Sequence, residues 1–305
     1  RRNEQIINQA KELNTLLLAN NITPIFLKGT GNLLAELYED IAERMVGDID
    51  FLVSKKELFS TIEILKKNSY EKEKNQIEYS TRNRHYTRLV KKEHIAAVEI
   101  HKIITIADYT NEFNYSFVEK DSQVVNDIAV LSYANKLNLS IIANQINDHG
   151  FYYKTMALRN AYDVFLMSKK TNAKDAVNTL DKLTNPLNCF LAACYEIFNS
   201  VDSLEYNNTK KAALYLRDFN CQFTNPKKKR ISNNIIERIL SVLYRFITIK
   251  GYRVWLFNLL TDKDWQQEML VWLGIKIKKE SRKKIQKSPC QKRKTIYQRK
   301  DGNAL

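Results

Sequence analysis

The chain has 305 residues, 49 of them Lys or Arg against 34 Asp or Glu, for a formal net charge of +15, and 44% of it is apolar. That length and apolar share suffice for two ordinary domains with their own cores and exclude wholesale disorder; with only 4 Pro and 7 Gly they also exclude collagen-like and Gly/Ser-rich classes. No apolar run approaches the roughly 18 residues of a membrane span, and the positive surplus points to a polyanionic partner such as nucleic acid or an anionic membrane surface.

From Glu4 to Asn20 the residues Ile6, Ile7, Ala10, Leu13, Leu16 and Leu17 recur at helical spacing, and Asn20-Asn21 supplies a stop. Ile22–Leu27 is a short β-rich run, followed by Lys28-Gly29-Thr30-Gly31 and a helical pattern through Leu33, Leu34, Leu37 and Tyr38. The order is therefore strand, glycine turn, helix. Gly47–Val53 alternates polar and apolar before turning wholly apolar, as a strand does, and Lys55–Asn68 returns to helical spacing. Ile77–Val90 and Ile95–Ile104 read as a hairpin joined by Lys91-Lys92-Glu93-His94. Beyond about Ser122 helices are expected almost throughout, at 123–147, 155–170, 173–183, 187–200, 209–217, 233–260 and 264–275. Strands first and helices afterwards predict an α+β domain over 1–120, an all-helical C-terminal domain over 121–275 and a basic tail over 276–305.

Cys189, Cys194, Cys221 and Cys290 lie far apart or at a spacing of five, without a His in a zinc pattern, and are expected to be buried thiols. Arg1–Ala10 is charged and rich in Asn and Gln rather than signal-like, which favours a reducing cytoplasm. The C-terminal apolar cluster around Trp255, Trp265 and Trp272 is expected to pack against preceding helices.

Three of the seven glycines, Gly29, Gly31 and Gly47, fall within nineteen residues. A Gly-Thr turn opening a helix directs free N–H groups and the Thr30 hydroxyl towards an anion such as phosphate, although a tight turn alone explains a glycine there. Asp48 and Asp50, two apart on a strand, share a face, so their carboxylates repel unless a Lys, an Arg or a divalent cation lies between them. Mg²⁺ suits such a site, taking one or two carboxylates and completing its shell with water and phosphate oxygens. Val98-Glu99-Ile100-His101 offers a third acid on the face opposite Val98 and Ile100. If that strand lies beside Asp48 and Asp50, the three acids suit two-metal phosphoryl transfer, with ions about 3.5–4 Å apart. Lys28 and Arg44 flank these acids and are candidates for triphosphate contacts, or for pairs with Glu36, Glu39, Asp40 or Glu43. His85, His94 and His101 are expected to be structural or substrate-facing, with His101 the best candidate of the three because it shares its face with Glu99.

Phe26-Leu27-Lys28-Gly29-Thr30, Leu37-Tyr38 and Arg44-Met45-Val46-Gly47-Asp48-Ile49-Asp50-Phe51-Leu52-Val53 together resemble the uncharacterised nucleotidyltransferase family of the DNA polymerase β-like superfamily. The resemblance continues to Glu99-Ile100-His101, His149-Gly150 and Asp163, covering roughly residues 1–200. It implies a mixed sheet flanked by helices and a Mg²⁺-dependent enzyme that moves an NMP from an NTP, such as ATP, to an acceptor hydroxyl. Asp48, Asp50 and Glu99 would be the catalytic and metal-binding residues for two Mg²⁺ ions, with Gly29, Thr30, Lys28, Arg44 and His101 holding the NTP. Thr30 stands where the superfamily often has Ser or Gly, Glu99 replaces a more usual Asp, and Lys102 takes the place of an aromatic residue.

The net charge is local. Lys276–Lys300 holds 12 Lys or Arg and one acid, Glu280, while Lys227-Lys228-Lys229-Arg230 supplies four more positive charges and the rest of the chain balances. Such segments attract phosphate, so RNA, especially a tRNA 3′ end, is the expected acceptor and partner. A protein hydroxyl, as in toxin-like modifiers of toxin–antitoxin systems, or a small molecule is the enzymatic alternative, and an inactive RNA- or protein-binding module is the other.

Overall fold

In the computed structural model, residues 1–73, 84–106 and 109–224 are described, with isolated positions at 240, 243, 246, 247 and 253. The chain divides into two units, Arg1–Pro226 and Lys227–Leu305. The first holds every element below. Apart from those isolated positions, which are helical, the helix expected at 233–260 lies outside the described residues, as do the helix expected at 264–275, the Trp cluster and both basic segments.

A mixed sheet organises the first unit. Its strands are β1 (Ile25–Phe26), β2 (Ile49–Leu52), β3 (Glu71–Lys72), β4 (Leu89–Val90), β5 (Val98–His101), β6 (Gln123–Val125) and β7 (Ile128–Val130), in spatial order β3-β4-β5-β2-β1-β7-β6. β2 runs antiparallel to β1 and parallel to β5, while β1 and β7 are parallel. Ile49, Phe51 and Leu52 on β2 and Val98 and Ile100 on β5 are fully buried, and Phe26 opposes Phe51 across the β1–β2 pair. This central position fixes the backbone of the acid-bearing strands.

Helix α1 (Arg2–Leu18) lays Ile6, Ala10, Leu13 and Leu17 into the core, as its spacing predicts. Its polar residues tie down the neighbouring loops. Gln9 Nε2 donates to Ala96 O at 2.9 Å and Ala96 N–H donates back to Gln9 Oε1 at 3.1 Å, which secures the entry to β5. Asn3 Nδ2 donates to Ile41 O and Arg44 O, and Arg2 donates to Val46 O and Gly47 O. The segment entering Asp48 is thus clamped from the helix.

α2 (Lys28–Leu34) follows β1 directly and is buried from Gly29 onward. A Cβ on Gly31 would lie 2.5 Å from Phe26 O, so only glycine lets this helix approach the end of β1. Gly31→Ala should therefore destabilise the protein by about 1–3 kcal/mol despite alanine's better helix propensity; a guanidinium titration showing no loss would contradict this packing.

α3 (Leu58–Lys67) matches the pattern at 55–68. At 123–147, where one helix is expected, the chain instead forms the β6–β7 hairpin, then α4's successor α5, with α4 (Tyr115–Glu119) preceding the hairpin and α5 spanning Tyr133–Ile142. The hairpin turn is Asn126-Asp127, both at positive φ (48° and 62°), a type I′ geometry that joins two strands without splaying them. The sheet thus extends past residue 120. A π-helical stretch, Ala143–Asn147, leads to α6 (Gly150–Tyr153), α7 (Leu158–Ser168), α8 (Ala173–Asn178), α9 (Thr184–Ile197) and α10 (Lys210–Thr224). Cys189 and Cys194 are buried on α9, as expected, whereas Cys221 is exposed near the end of α10. No described helix is long and apolar enough to cross a membrane.

Candidate active site

The parallel register of β2 and β5 places Asp50 beside Glu99 and Leu52 beside His101. Carboxylate oxygens of Asp50 and Glu99 and a ring nitrogen of His101 all lie within 4.8 Å of one another. His101 is almost fully buried, with Nε2 donating to Asp50 Oδ1 at 2.9 Å and lying 3.6 Å from Glu99. His85 bridges to His101 across the sheet, and its Nδ1–H donates to Tyr86 O at 2.9 Å, which turns Nε2 towards Glu99 at 3.9 Å. Asp48, one residue ahead of β2, stands at the margin of this cluster with a side chain about one-third exposed.

Two cationic side chains neutralise the acids. Lys28 has a left-handed φ of 50° at the β1–α2 junction, and its Nζ lies 2.5 Å from Asp50 Oδ1 and 3.8 Å from Glu99. Arg88, just before β4, is paired with Asp48, with Glu73 at 3.2 Å and with Glu99 at 3.5 Å. Sequence reasoning names neither Arg88 nor Glu73 as a site residue.

The ionisation of the acids follows from these neighbours. Burial acts to raise the Asp50 carboxyl, but the Lys28 charge and the His101 hydrogen bond outweigh it and hold the group well below the usual carboxylate range. Glu99 is also lowered: burial opposes ionisation, and His101, His85 and Lys28 overcome both that and the repulsion from Asp50. Asp48 is raised, chiefly by burial and further by Glu99 and Asp50, against the pull of Arg88. Burial depresses His85 and favours its neutral form.

Thr30 and Arg44 do not face the acids in the way the sequence pattern implies. Thr30 is fully buried, and its hydroxyl donates to Asp48 O at 2.9 Å. Gly29 is buried against Val46, where an added Cβ would come within 2.9 Å of a methyl group. Arg44 turns away from Glu36, Glu39, Asp40 and Glu43 and donates from Nε to both oxygens of Asp163 on α7, at 3.2 and 3.3 Å. Tyr38 also donates to Asp163, at 2.8 Å, and Asn32 donates to Tyr38. These contacts fix the loop between α2 and β2 on the helical part of the same unit.

Two carboxylates, Asp50 and Glu99, with the His101 imidazole beside them form a donor set that fits a divalent cation, since carboxylate oxygens suit Mg²⁺ and imidazole adds affinity for first-row metals. A search of curated proteins finds no match to the chain. The model of the family described as "uncharacterised nucleotidyltransferase" matches residues 1–199, which include every site element above. The chain belongs to this uncharacterised nucleotidyltransferase family.

Proposed function

We propose that the protein transfers an NMP from an NTP to an acceptor hydroxyl, with Mg²⁺ bound by Asp48, Asp50 and Glu99. The observation that carries this reading is the pairing of Asp50 with Glu99 across two parallel strands, next to Asp48, in a member of a nucleotidyltransferase family. When bound, Mg²⁺ would neutralise triphosphate charge and acidify the acceptor hydroxyl. The acceptor oxygen attacks the α-phosphorus, the bond to pyrophosphate breaks, and Asp50 or Glu99 accepts the hydroxyl proton. Both are ionised at neutral pH because their carboxyls are held low. Lys28, one-third exposed, supplies a fixed positive charge for the triphosphate once it leaves Asp50. Thr30 acts through the Asp48 backbone, and Arg44 acts through the loop it ties to Asp163.

RNA is the acceptor that best suits the two basic segments, with a tRNA 3′ end as the specific case; a protein hydroxyl or a small molecule is the alternative. Incubating the protein with each α-labelled NTP and total cellular RNA or protein should label RNA, and label confined to protein would replace that acceptor. Deleting 276–305 should weaken RNA binding and flatten its salt dependence, because twelve basic residues are lost. An unchanged slope would remove the tail from recognition.

One observation favours a second reading, a transferase fold kept as an RNA- or protein-binding module: Lys28 and Arg88 already neutralise the acids. Calorimetry separates the two readings. Mg²⁺–NTP binding supports catalysis, and RNA binding without it supports the module.

A further inference from the structure

We infer that Arg88 is a triphosphate-contacting residue, held on the site's acids until the donor nucleotide and its cation enter. The inference rests on the nucleotidyl-transfer reading. Arg88 pairs with Asp48 and with Glu99, two of the three residues proposed to hold the cation. A guanidinium and a divalent cation compete for the same oxygens and repel one another, so cation binding displaces the side chain.

The Arg88 backbone does not need to move with it. Glu73 N–H donates to Arg88 O at 3.0 Å, and the next residue, Leu89, is registered against Val98 on β5. The side chain is about one-third exposed and can swing while its strand stays in place. Arginine cannot shed its charge by deprotonation, so the displaced guanidinium needs an anion. The triphosphate arrives with the cation and offers paired oxygens that match the planar fork. Glu73 is the competing destination, but its side chain is also about one-third exposed, where an ion pair is weak.

Binding of Mn²⁺, followed by electron paramagnetic resonance, tests this in the parent chain and in Arg88→Met and Arg88→Lys, each first checked for a native circular dichroism spectrum. Mn²⁺ alone should bind Arg88→Met several-fold more tightly than the parent, because its competitor is gone. With α,β-methylene ATP and saturating Mn²⁺, nucleotide affinity should instead fall roughly 10- to 100-fold in Arg88→Met, the equivalent of one charge-assisted contact, and less in Arg88→Lys. Unchanged Mn²⁺ affinity would overturn the competition. Tighter Mn²⁺ with unchanged nucleotide affinity would mean that Arg88 retreats to Glu73, and would overturn the phosphate contact. Should Arg88→Met fail to fold, Arg88→Lys carries the same comparison, with nucleotide affinity equal to the parent's counting against the fork. Absence of Mn²⁺ binding in the parent itself would instead bring down the nucleotidyl-transfer reading on which the inference stands.

Discussion

Asp50→Asn should lower NMP transfer by roughly 10³-fold, the scale seen when one preorganised electrostatic group is removed from a reaction centre, while the circular dichroism spectrum stays native. The substitution keeps the shape of the side chain but deletes the charge that faces Lys28, His101 and Glu99. It removes a ligand, leaves the Lys28 ammonium without its closest counter-charge and takes away one of the two groups able to accept the acceptor's proton. Asp48→Ala should cause a comparable loss of transfer with a smaller cost in stability, because Asp48 and its partner Arg88 are each about one-third exposed and their pair lies near the surface. Transfer at the parent rate in either variant, measured with α-labelled NTP under single-turnover conditions, would remove these acids from the chemistry.

The largest effect on stability is expected at Asp163, far from the acids in sequence. Asp163 is buried on α7 and accepts hydrogen bonds from Tyr38 and from a mostly buried Arg44. Burial raises its carboxyl, and Arg44 opposes that rise. Asp163→Ala leaves the Arg44 charge and the Tyr38 hydroxyl without this acceptor, and removing one member of a buried ion pair costs about 3–5 kcal/mol. Pairing Arg44→Met with Asp163→Leu should recover much of that loss, because no uncompensated charge remains. Denaturant unfolding of Asp163→Ala and of the double variant measures the difference; equal losses in the two would show that the ion pair is not the source of the cost.

The acid-bearing strands were legible because their chemistry is local. Asp48-Ile49-Asp50 and Val98-Glu99-Ile100-His101 each carry a two-residue alternation, and the parallel register then sets Asp50 against Glu99. Arg88 was not legible, because its place depends on hairpin register. A turn confined to Lys91–His94 would set Tyr86 opposite Glu99, whereas the observed pairing of Leu89 with Val98 shifts the register by two there, and the Arg88 side chain comes within 3.5 Å of Glu99. Slipping a hairpin by two residues keeps the same faces inward, so hydrophobic alternation cannot detect it.

Arg44 shows a different limit. Six acids lie within eight residues of it in sequence, yet its partner is 119 residues away and is delivered by the packing of α7. The β6–β7 hairpin was masked by coincidence: Val124, Ile128 and Leu131 fall at helical spacing, while Asn126-Asp127 is a weaker turn signal than Asn-Gly or Asp-Gly. At Gly29 and Gly31, glycine is required by close approach to Val46 and to the Phe26 carbonyl, a demand that leaves the same mark in sequence as a phosphate cradle.

The most direct measurement of the central claim compares NTP labelled at the α-phosphate with NTP labelled at the γ-phosphate, using the parent chain, Asp48→Ala and Asp50→Asn, with cellular RNA and protein as acceptors and Mg²⁺ present or chelated. Transfer of α-label alone, dependent on Mg²⁺ and lost in both variants, is the predicted result. Transfer of γ-label, or α-label that persists in the variants, would contradict it.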